Sequence, residues 1–228
     1  MLRLFSLVFI AMSTCVVSFG ECKWGDSFEG GLNNWVIEQA GDGDIISGDG
    51  CLEIKDKEGC TVWFRYRLNA PVVITYDAEV IDAGGDYDRL SDLNCFWMAS
   101  DPRHPNDLFF ENHGRTGDFK TYNILQTYYV GYGGNDNTTT RFRRYSGNGE
   151  KPLLPEHDLG SDEYLLMSEK VYHIRLEAID GKVRYIRDGD VIFDFYDPDF
   201  LKSGWFGIRT FNSHLKIRNF RILAHDRN

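Results

Sequence analysis

The sequence predicts an all-β fold, a two-sheet antiparallel β-sandwich with jelly-roll architecture. Aromatic residues make up 14% of the 228 residues, and short β-branched or aromatic segments recur between Gly, Pro, Asp and Asn. No segment shows a long helical period. About a dozen strands without helices to cover a sheet must bury their apolar faces by packing sheet on sheet.

The predicted strands follow one another along most of the chain after an opening strand and loop. Asp180-Gly181 and Asp188-Gly189 each join two apolar alternations, and Asp-Gly is the preferred two-residue hairpin turn. We therefore expect Val171–Phe195 to form a three-stranded meander. The candidate strands are Trp24–Trp35, Cys51–Ile54, Thr61–Tyr66, Val72–Val80, Asn94–Ala99, Tyr122–Tyr132, Thr139–Tyr145, Val171–Ile179, Lys182–Arg187, Val191–Phe195, Gly204–Thr210 and Leu215–Leu223.

The first twenty residues are typical of a secretory signal peptide. Arg3 precedes an apolar run, and the small residues Ser18 and Gly20 lie near the end of this segment. An alternative is a lipoprotein cleavage site with a lipid on Cys15. Residues 21–228 then form a single domain, secreted or periplasmic, in which no segment is long and apolar enough to span a membrane.

Four cysteines remain after residue 20: Cys22, Cys51, Cys60 and Cys95. Export permits disulfides, and a short hairpin from Cys51 to Cys60 would favour a bridge between those two. Buried free thiols are the alternative. No spacing of zinc-ligand type occurs, so we expect no cofactor.

A structural calcium ion is a weaker possibility. Asp42, Asp44 and Asp49 lie in turns and offer oxygen ligands of the kind that Ca²⁺ takes, although acidic turns explain the same residues.

Net charge excludes one class of partner. The chain carries 25 Lys and Arg against 35 Asp and Glu, which disfavours binding to nucleic acid. The charge is uneven: residues 103–144 hold six basic and four acidic residues. A local arginine cluster can dominate its own groove, because salt screens charges beyond about 8–10 Å. We therefore expect an anionic saccharide as the partner. We also expect the protein to be a monomer.

One sheet face breaks the apolar–polar alternation of an ordinary sandwich. The strand at Asn94–Met98 is apolar on both faces, and Tyr128, Val130 and Tyr132 alternate with another tyrosine and a glycine. On a third strand, Thr139, Arg141, Arg143 and Tyr145 share one face. Such a face suits sugars, which stack on aromatic rings and bind planar donors. Alternatively, long loops cover it as a second small core.

Three segments carry a family resemblance: WGDSFEG near the start, RFRRY…PLLPEHDL in the middle, and GWFGIRTFNSHLKIRNFRIL at the end. The chain resembles secreted bacterial proteins of the concanavalin A-like lectin/glucanase superfamily. It is similar to an uncharacterised-domain group from polysaccharide-utilisation loci, akin to jelly-roll polysaccharide lyases. The resemblance spans nearly all of residues 22–224 and implies a carbohydrate-active sandwich.

The superfamily includes binding modules, glucanases and lyases, so chemistry must come from the site. The Glu-x-Asp-x-x-Glu strand of retaining glucanases does not occur here. Arg, His and Tyr are instead typical of β-elimination on a uronic acid, where a cation neutralises the carboxylate and other groups move the proton. We therefore predict a carbon–oxygen lyase, either a polysaccharide lyase or a dehydratase at a non-reducing-end uronate. A non-catalytic carbohydrate-binding module and a glycoside hydrolase remain alternatives.

The Arg-Thr-Glu and Tyr-x-Lys patterns of jelly-roll lyases do not occur, so the candidate residues are chosen by type and position alone. Arginines would neutralise the carboxylate, while histidines and tyrosines would act as base and acid. The catalytic candidates are His113, Tyr128, Tyr132, Arg141, Arg143 and His157. The substrate-binding candidates are Asn94, Phe96, Arg115, Tyr122, Tyr145 and Arg209.

Overall fold

Residues 21–224, the part of the chain that the computed structural model describes, contain sixteen strands. The expected signal peptide and the alternative lipid site at Cys15 lie outside these residues. Numbered along the chain, the strands are β1 (Cys22–Asp26), β2 (Trp35–Gln39), β3 (Ile45–Gly48), β4 (Cys51–Asp56), β5 (Cys60–Phe64), β6 (Leu68–Asn69), β7 (Val72–Val80), β8 (Leu93–Ser100), β9 (Gln126–Gly133), β10 (Thr139–Ser146), β11 (Asp158–Leu159), β12 (Val171–Ile179), β13 (Lys182–Arg187), β14 (Asp190–Tyr196), β15 (Ser203–Thr210) and β16 (Ser213–Ala224).

The strands form two antiparallel sheets of eight, which confirms the predicted sandwich. The first sheet has the order β14-β13-β12-β7-β16-β4-β3, with β1 paired to β16. The second has the order β11-β10-β9-β8-β15-β5-β2, with β6 paired to β15. Within residues 21–224, no helix is long and apolar enough to cross a membrane.

The core lies between the sheets and takes alternate residues of each strand. In β9, Tyr128, Val130 and Tyr132 are buried there, and Tyr76 of the first sheet meets Phe206 of the second at a ring distance of 5.6 Å. Burying one such side chain contributes about 1.5–3 kcal/mol, so the core fixes which face of each strand points outward.

The predicted meander is confirmed in β12, β13 and β14. Ile179 pairs with Lys182, and Asp180 and Gly181 between them have φ angles of 46° and 85°. Both angles lie in the left-handed region, which glycine and aspartate tolerate better than most residues. The second Asp-Gly turn has the same form.

The hairpin expected between Cys51 and Cys60 is wrong. Cys51 begins β4 in the first sheet and Cys60 begins β5 in the second, so the segment between them crosses from one layer to the other. No disulfide links them, and Cys22, Cys51, Cys60 and Cys95 are all free thiols. Burial raises the pKa of the Cys95 thiol to about 12, so it behaves as a small apolar side chain.

Candidate functional site

The outer face of the second sheet is divided between a covered half and an open half. Residues 101–125, here called the cover segment, lie over the covered half. The cover segment and the sheet share a second cluster of buried side chains. The cover segment contributes Leu108 and Tyr122, and the sheet contributes Trp63, Phe96, Tyr129, Tyr145 and Trp205. The covered half is therefore a second small core, and the open half is a groove.

A buried ion pair fastens the cover segment to the sheet. Nε of Arg115 donates to Glu38 of β2 at 3.1 Å, and Nη2 donates to the carbonyl of Leu108 at 2.6 Å. The Glu38 carboxylate also accepts a hydrogen bond from the Trp63 indole at 2.9 Å. The Arg115 side chain is 0% exposed, with Asp101 as a second carboxylate 3.7 Å away. This geometry gives the cover segment one fixed position.

The open half is a groove with a volume of about 470 Å³, within the range of small-ligand sites. Side chains from β8, β9, β10 and β15 form its floor, Phe119 of the cover segment forms one wall, and two loops form the rim. The floor residues are Asn94, Tyr129, Gly131, Arg141, Arg143 and Arg209.

Strand pairing sets the order of these residues across the floor. One row runs from Arg141 through Gly131 and Asn94 to Arg209. The neighbouring row places Arg143 opposite Tyr129. Paired strands lie about 4.8 Å apart, so the row of four residues spans about 14 Å, the length of two or three sugar rings rather than of a long polymer.

Gly131 makes the depression in the floor. A methyl group at this position would lie 3.1 Å from the hydroxyl oxygen of Tyr129, so the phenol already leans over the glycine. A glycine inside a strand is typical of a place where another group approaches the backbone closely. The Tyr129 hydroxyl therefore borders the space that a ligand would fill.

The arginines of the floor differ in their partners. Arg141 is bound by Asp158 through two hydrogen bonds of 2.7 and 3.1 Å, and Arg209 donates to Thr61 and to the carbonyl of Gly117. Arg143 donates to the carbonyl of Lys151, and it has no carboxylate partner within residues 21–224. Neither Arg143 nor Arg209 forms an ion pair with a described residue, but Arg209 is buried. Arg143 is therefore the more accessible groove arginine that can take up an anionic ligand without breaking an ion pair.

Asn94, which lines the groove, has an unpartnered buried acceptor. Its side chain is buried, and Nδ2 donates to Asp92 Oδ1 at 3.1 Å. Because a carboxylate only accepts, this bond fixes the amide with Oδ1 on the other side, where it has no hydrogen-bond partner. A buried carbonyl oxygen without a donor costs stability, and a ligand hydroxyl would satisfy it.

An ion pair and an unusual turn form part of the rim. Arg89 Nε donates to Asp136 Oδ1 at 2.9 Å, joining the loop before β8 to the turn between β9 and β10. In that turn Asn135, Asp136 and Asn137 are all left-handed, with φ of 53°, 56° and 57°. Such runs are rare, and strained backbone of this kind clusters at ligand sites.

The structure corrects the predicted groove position of Tyr128 and Tyr132. Both rings lie in the core between the sheets, and their hydroxyls are engaged there. Tyr128 donates to Asp197 at 2.7 Å, and Tyr132 donates to the carbonyl of Leu165 at 3.1 Å. The face of β9 with two tyrosines and a valine is the more apolar one, so it turns inward and leaves Tyr129 in the groove.

The two candidate histidines also lie away from the groove. His113 is in the cover segment, with Nε2 3.8 Å from Glu38, and burial lowers its pKa. His157 is enclosed by aromatic rings, with Phe142 at 4.9 Å, and burial lowers its pKa as well. The neighbouring carboxylate of Asp158 does not contact the His157 ring through any hydrogen bond of the described chain; it binds Arg141. No histidine lines the groove within the described chain.

The substrate-binding candidates divide in the same way. Asn94 and Arg209 line the groove, as do the catalytic candidates Arg141 and Arg143. Phe96 and Tyr145 are instead buried under the cover segment, Tyr122 is the cover segment's own contribution to that cluster, and Arg115 holds the segment in place. The sequence does not predict this cover, because no pattern in residues 101–125 indicates which strands the segment packs against.

Sequence reasoning missed Tyr129, Asp92, Arg89 and Phe119. Tyr129 carries the strongest signal, because it directly precedes Val130 on a strand that was already placed beside the groove. The missing information is the strand register. Tyr129 lies opposite Arg143, so the two side chains share the outer face of the sheet. Burial raises the pKa of Tyr129 well above its ordinary value, while Arg209 opposes this shift.

Metal binding finds no support in the part of the chain that the structure describes. No group of three or more His, Cys, Asp or Glu side chains there is arranged to hold an ion, and this includes the turns of Asp42, Asp44 and Asp49.

Comparison with solved structures shows the same fold in carbohydrate-related proteins. A protein of unknown function with a galectin-like fold from Bacillus subtilis matches with a TM-score of 0.72 and 18% identity, over 92% of this chain and 99% of that one. An endo-β-1,3-glucanase from Pyrococcus furiosus matches with a TM-score of 0.58 and 11% identity, over 92% and 96%. The carbohydrate-binding module CBM66 from Bacillus subtilis matches with 0.54 and 14%, over 84% and 96%.

These identities show the fold and not the activity. A search of curated proteins finds no match. One family model, described as a domain of unknown function, DUF6250, matches residues 54–220. Because this match covers most of the chain, the protein belongs to the DUF6250 family.

Proposed function

We propose that the protein acts on uronic-acid-containing saccharides and catalyses β-elimination in the groove. The observation that carries this proposal is the set of three groups on its floor: a guanidinium without a carboxylate partner at Arg143, an unpartnered amide oxygen at Asn94, and the hydroxyl of Tyr129. Related folds in a carbohydrate-binding module and in glucanases support a saccharide as the ligand.

Each group has one role. Arg143 binds the uronate carboxylate and disperses the charge that develops when the C5 proton leaves. Asn94 accepts a hydrogen bond from a ring hydroxyl and orients the sugar. Tyr129, as phenolate, removes the C5 proton; the electron pair forms the C4–C5 double bond, the C4–O4 bond breaks, and O4 takes the proton from Tyr129.

The small size of the groove favours the end of a chain over its middle. Phe119 lines one side, and the Arg89–Asp136 ion pair closes part of the rim. At a non-reducing end O4 is a free hydroxyl, and elimination releases water. The protein would then be an oligosaccharide dehydratase; a cut within a chain would make it a polysaccharide lyase. The signal peptide expected in residues 1–20 would place this reaction outside the cytoplasm.

Ultraviolet absorbance of the conjugated product tests the reaction. Incubation with glucuronate-, iduronate- and galacturonate-ended oligosaccharides should raise it, and mass spectrometry should show loss of one water. Arg143→Gln should lower kcat/KM about 100-fold, whereas Arg141→Gln, whose guanidinium is already paired with Asp158, should change it only slightly. A rise with none of these substrates would refute the elimination chemistry.

Tyr129 has its own test. Because burial raises its pKa, the phenolate is scarce at neutral pH, and kcat/KM should rise about tenfold per pH unit toward alkaline pH. Tyr129→Phe should abolish turnover, while Tyr145→Phe, which removes a hydroxyl from the covered cluster, should preserve it. A pH-independent rate would contradict the role of Tyr129 as base.

Non-catalytic binding of an acidic saccharide is the second candidate. The observation that favours it is the groove lining, which holds no histidine among the described residues; burial also raises the pKa of Tyr129, which disfavours its phenolate. Calorimetric binding of a uronate oligosaccharide without any absorbance change would establish this function instead.

A further inference from the structure

A second depression lies at one end of the sandwich, where the two sheets separate. Its lining includes Lys23, Trp24, Tyr66, Arg67 and Asn69, and its volume is about 380 Å³. We call it the edge pocket. None of the groove residues belongs to it.

The floor of the edge pocket is aromatic. Trp24 of β1 contacts Phe64 with ring centroids 4.4 Å apart, and Tyr66 meets Phe64 edge-on at 5.3 Å. Tyr66 is nevertheless 50% exposed, which is high for a ring held by two other rings. A fixed aromatic ring with an open face is the surface on which a pyranose stacks, because the apolar C–H side of the sugar covers it.

Cations and amides surround this ring. Lys23, Arg67 and Asn69 are exposed, and the lining contains no carboxylate. Arg67 is held in place by hydrogen bonds to Asn106 at 2.7 Å and Ser203 at 2.5 Å. In a chain with 35 acidic residues, a pocket with two cations and no acid selects an anionic ligand.

The edge pocket is far enough from the groove to act separately. Arg209 of the groove pairs with Thr61 on β5, and Tyr66 of the edge pocket lies five residues further along the chain. At about 3.3 Å per residue, the two sites are separated by roughly 15 Å. One saccharide chain could therefore occupy both sites only if it were several sugars long.

We infer that the edge pocket is a second binding site for acidic polysaccharide, with Tyr66 as the stacking platform and Lys23 and Arg67 as the charge-reading groups. This inference rests on the proposed function for its choice of an acidic sugar. Its consequence is that the protein holds a polymer at one end of the sandwich while the groove acts on a chain end.

Affinity electrophoresis in gels that contain polyglucuronate, polygalacturonate or neutral dextran tests the inference. The acidic polymers should retard the protein and dextran should not. Tyr66→Ala should weaken the apparent affinity about fivefold. Tyr196→Ala is the matched control, because Tyr196 is 68% exposed on β14 and lies outside the pocket. Lys23→Glu should weaken retardation. Lys182→Glu, which changes an exposed lysine of β13 outside the pocket, should weaken it much less.

Turnover of a short uronate-ended oligosaccharide separates the two proposals. Tyr66→Ala should leave kcat/KM on that substrate unchanged and should unfold at the wild-type temperature. Equal retardation of Tyr66→Ala and wild type, or retardation by dextran to the same extent, would overturn the edge pocket as an acidic-saccharide site. So would a lack of retardation by every acidic polymer. If the groove proves inactive but Tyr66→Ala still loses polymer affinity, the proposed elimination fails and this site stands.

Discussion

Removal of the Glu38 carboxylate should destabilise the protein more than any exposed ion pair does. Glu38→Ala leaves the Arg115 guanidinium, which is 0% exposed, with Asp101 at 3.7 Å as its nearest carboxylate. It also leaves the Trp63 indole without its acceptor. Breaking a buried pair by removing one partner costs about 3–5 kcal/mol. For a chain of this size, that corresponds to a fall in Tm of about 10 °C.

Urea unfolding followed by tryptophan fluorescence measures this loss, with calorimetry as a second readout. Asp158→Ala is the matched control: it breaks the Arg141 pair, whose side chains are about one-third exposed, and should cost less than about 1 kcal/mol. Glu38→Gln should lose less than Glu38→Ala, because the amide oxygen still accepts from the Trp63 indole. If Glu38→Ala lost no more stability than Asp158→Ala, the buried pair would not be what fastens the cover segment.

The remaining predictions concern the groove, the core and acid stability. Gly131→Ala should keep the fold but weaken saccharide binding about tenfold in calorimetry, because the added methyl group displaces the Tyr129 hydroxyl. Tyr128→Phe should cost about 1–3 kcal/mol in urea unfolding and leave KM unchanged, because this hydroxyl lies in the core. The hydrogen bond from His214 lowers the pKa of Glu53 below 4.5. The stabilisation that ionised Glu53 contributes is therefore present above pH 4.5 and is lost as the pH falls through the lowered pKa. Glu53→Gln should flatten the acid limb of a stability–pH curve.

Much of the fold follows from the sequence because strand signals are local. β7, β12 and β13 begin and end where the apolar alternation does, and the two Asp-Gly turns fix the meander. The link from β4 to β5 is different. Whether two neighbouring strands form a hairpin or cross between layers depends on which sheet each joins, and this is decided by distant partners such as β15 and β16.

The site was predicted in part for the same physical reason. Alternation within one strand predicts that Arg141 and Arg143 share a face, and in the structure both line the groove on the outer face of the sheet. The choice between Tyr128 and Tyr129 required knowledge of which face of β9 meets the other sheet. The burial of Tyr122 and Tyr145 required the position of the cover segment, which a buried ion pair between Glu38 and Arg115 determines across 77 residues of chain.

In the proposed reaction, Arg143 and Tyr129 carry out β-elimination on a uronate in the groove. The most direct test is the ultraviolet absorbance of the unsaturated product during incubation with uronate-ended oligosaccharides, for wild type, Arg143→Gln and Tyr129→Phe. The proposed reaction predicts a rise with wild type and almost none with either variant. Absorbance that rises equally in all three proteins, or in none of them, would contradict it.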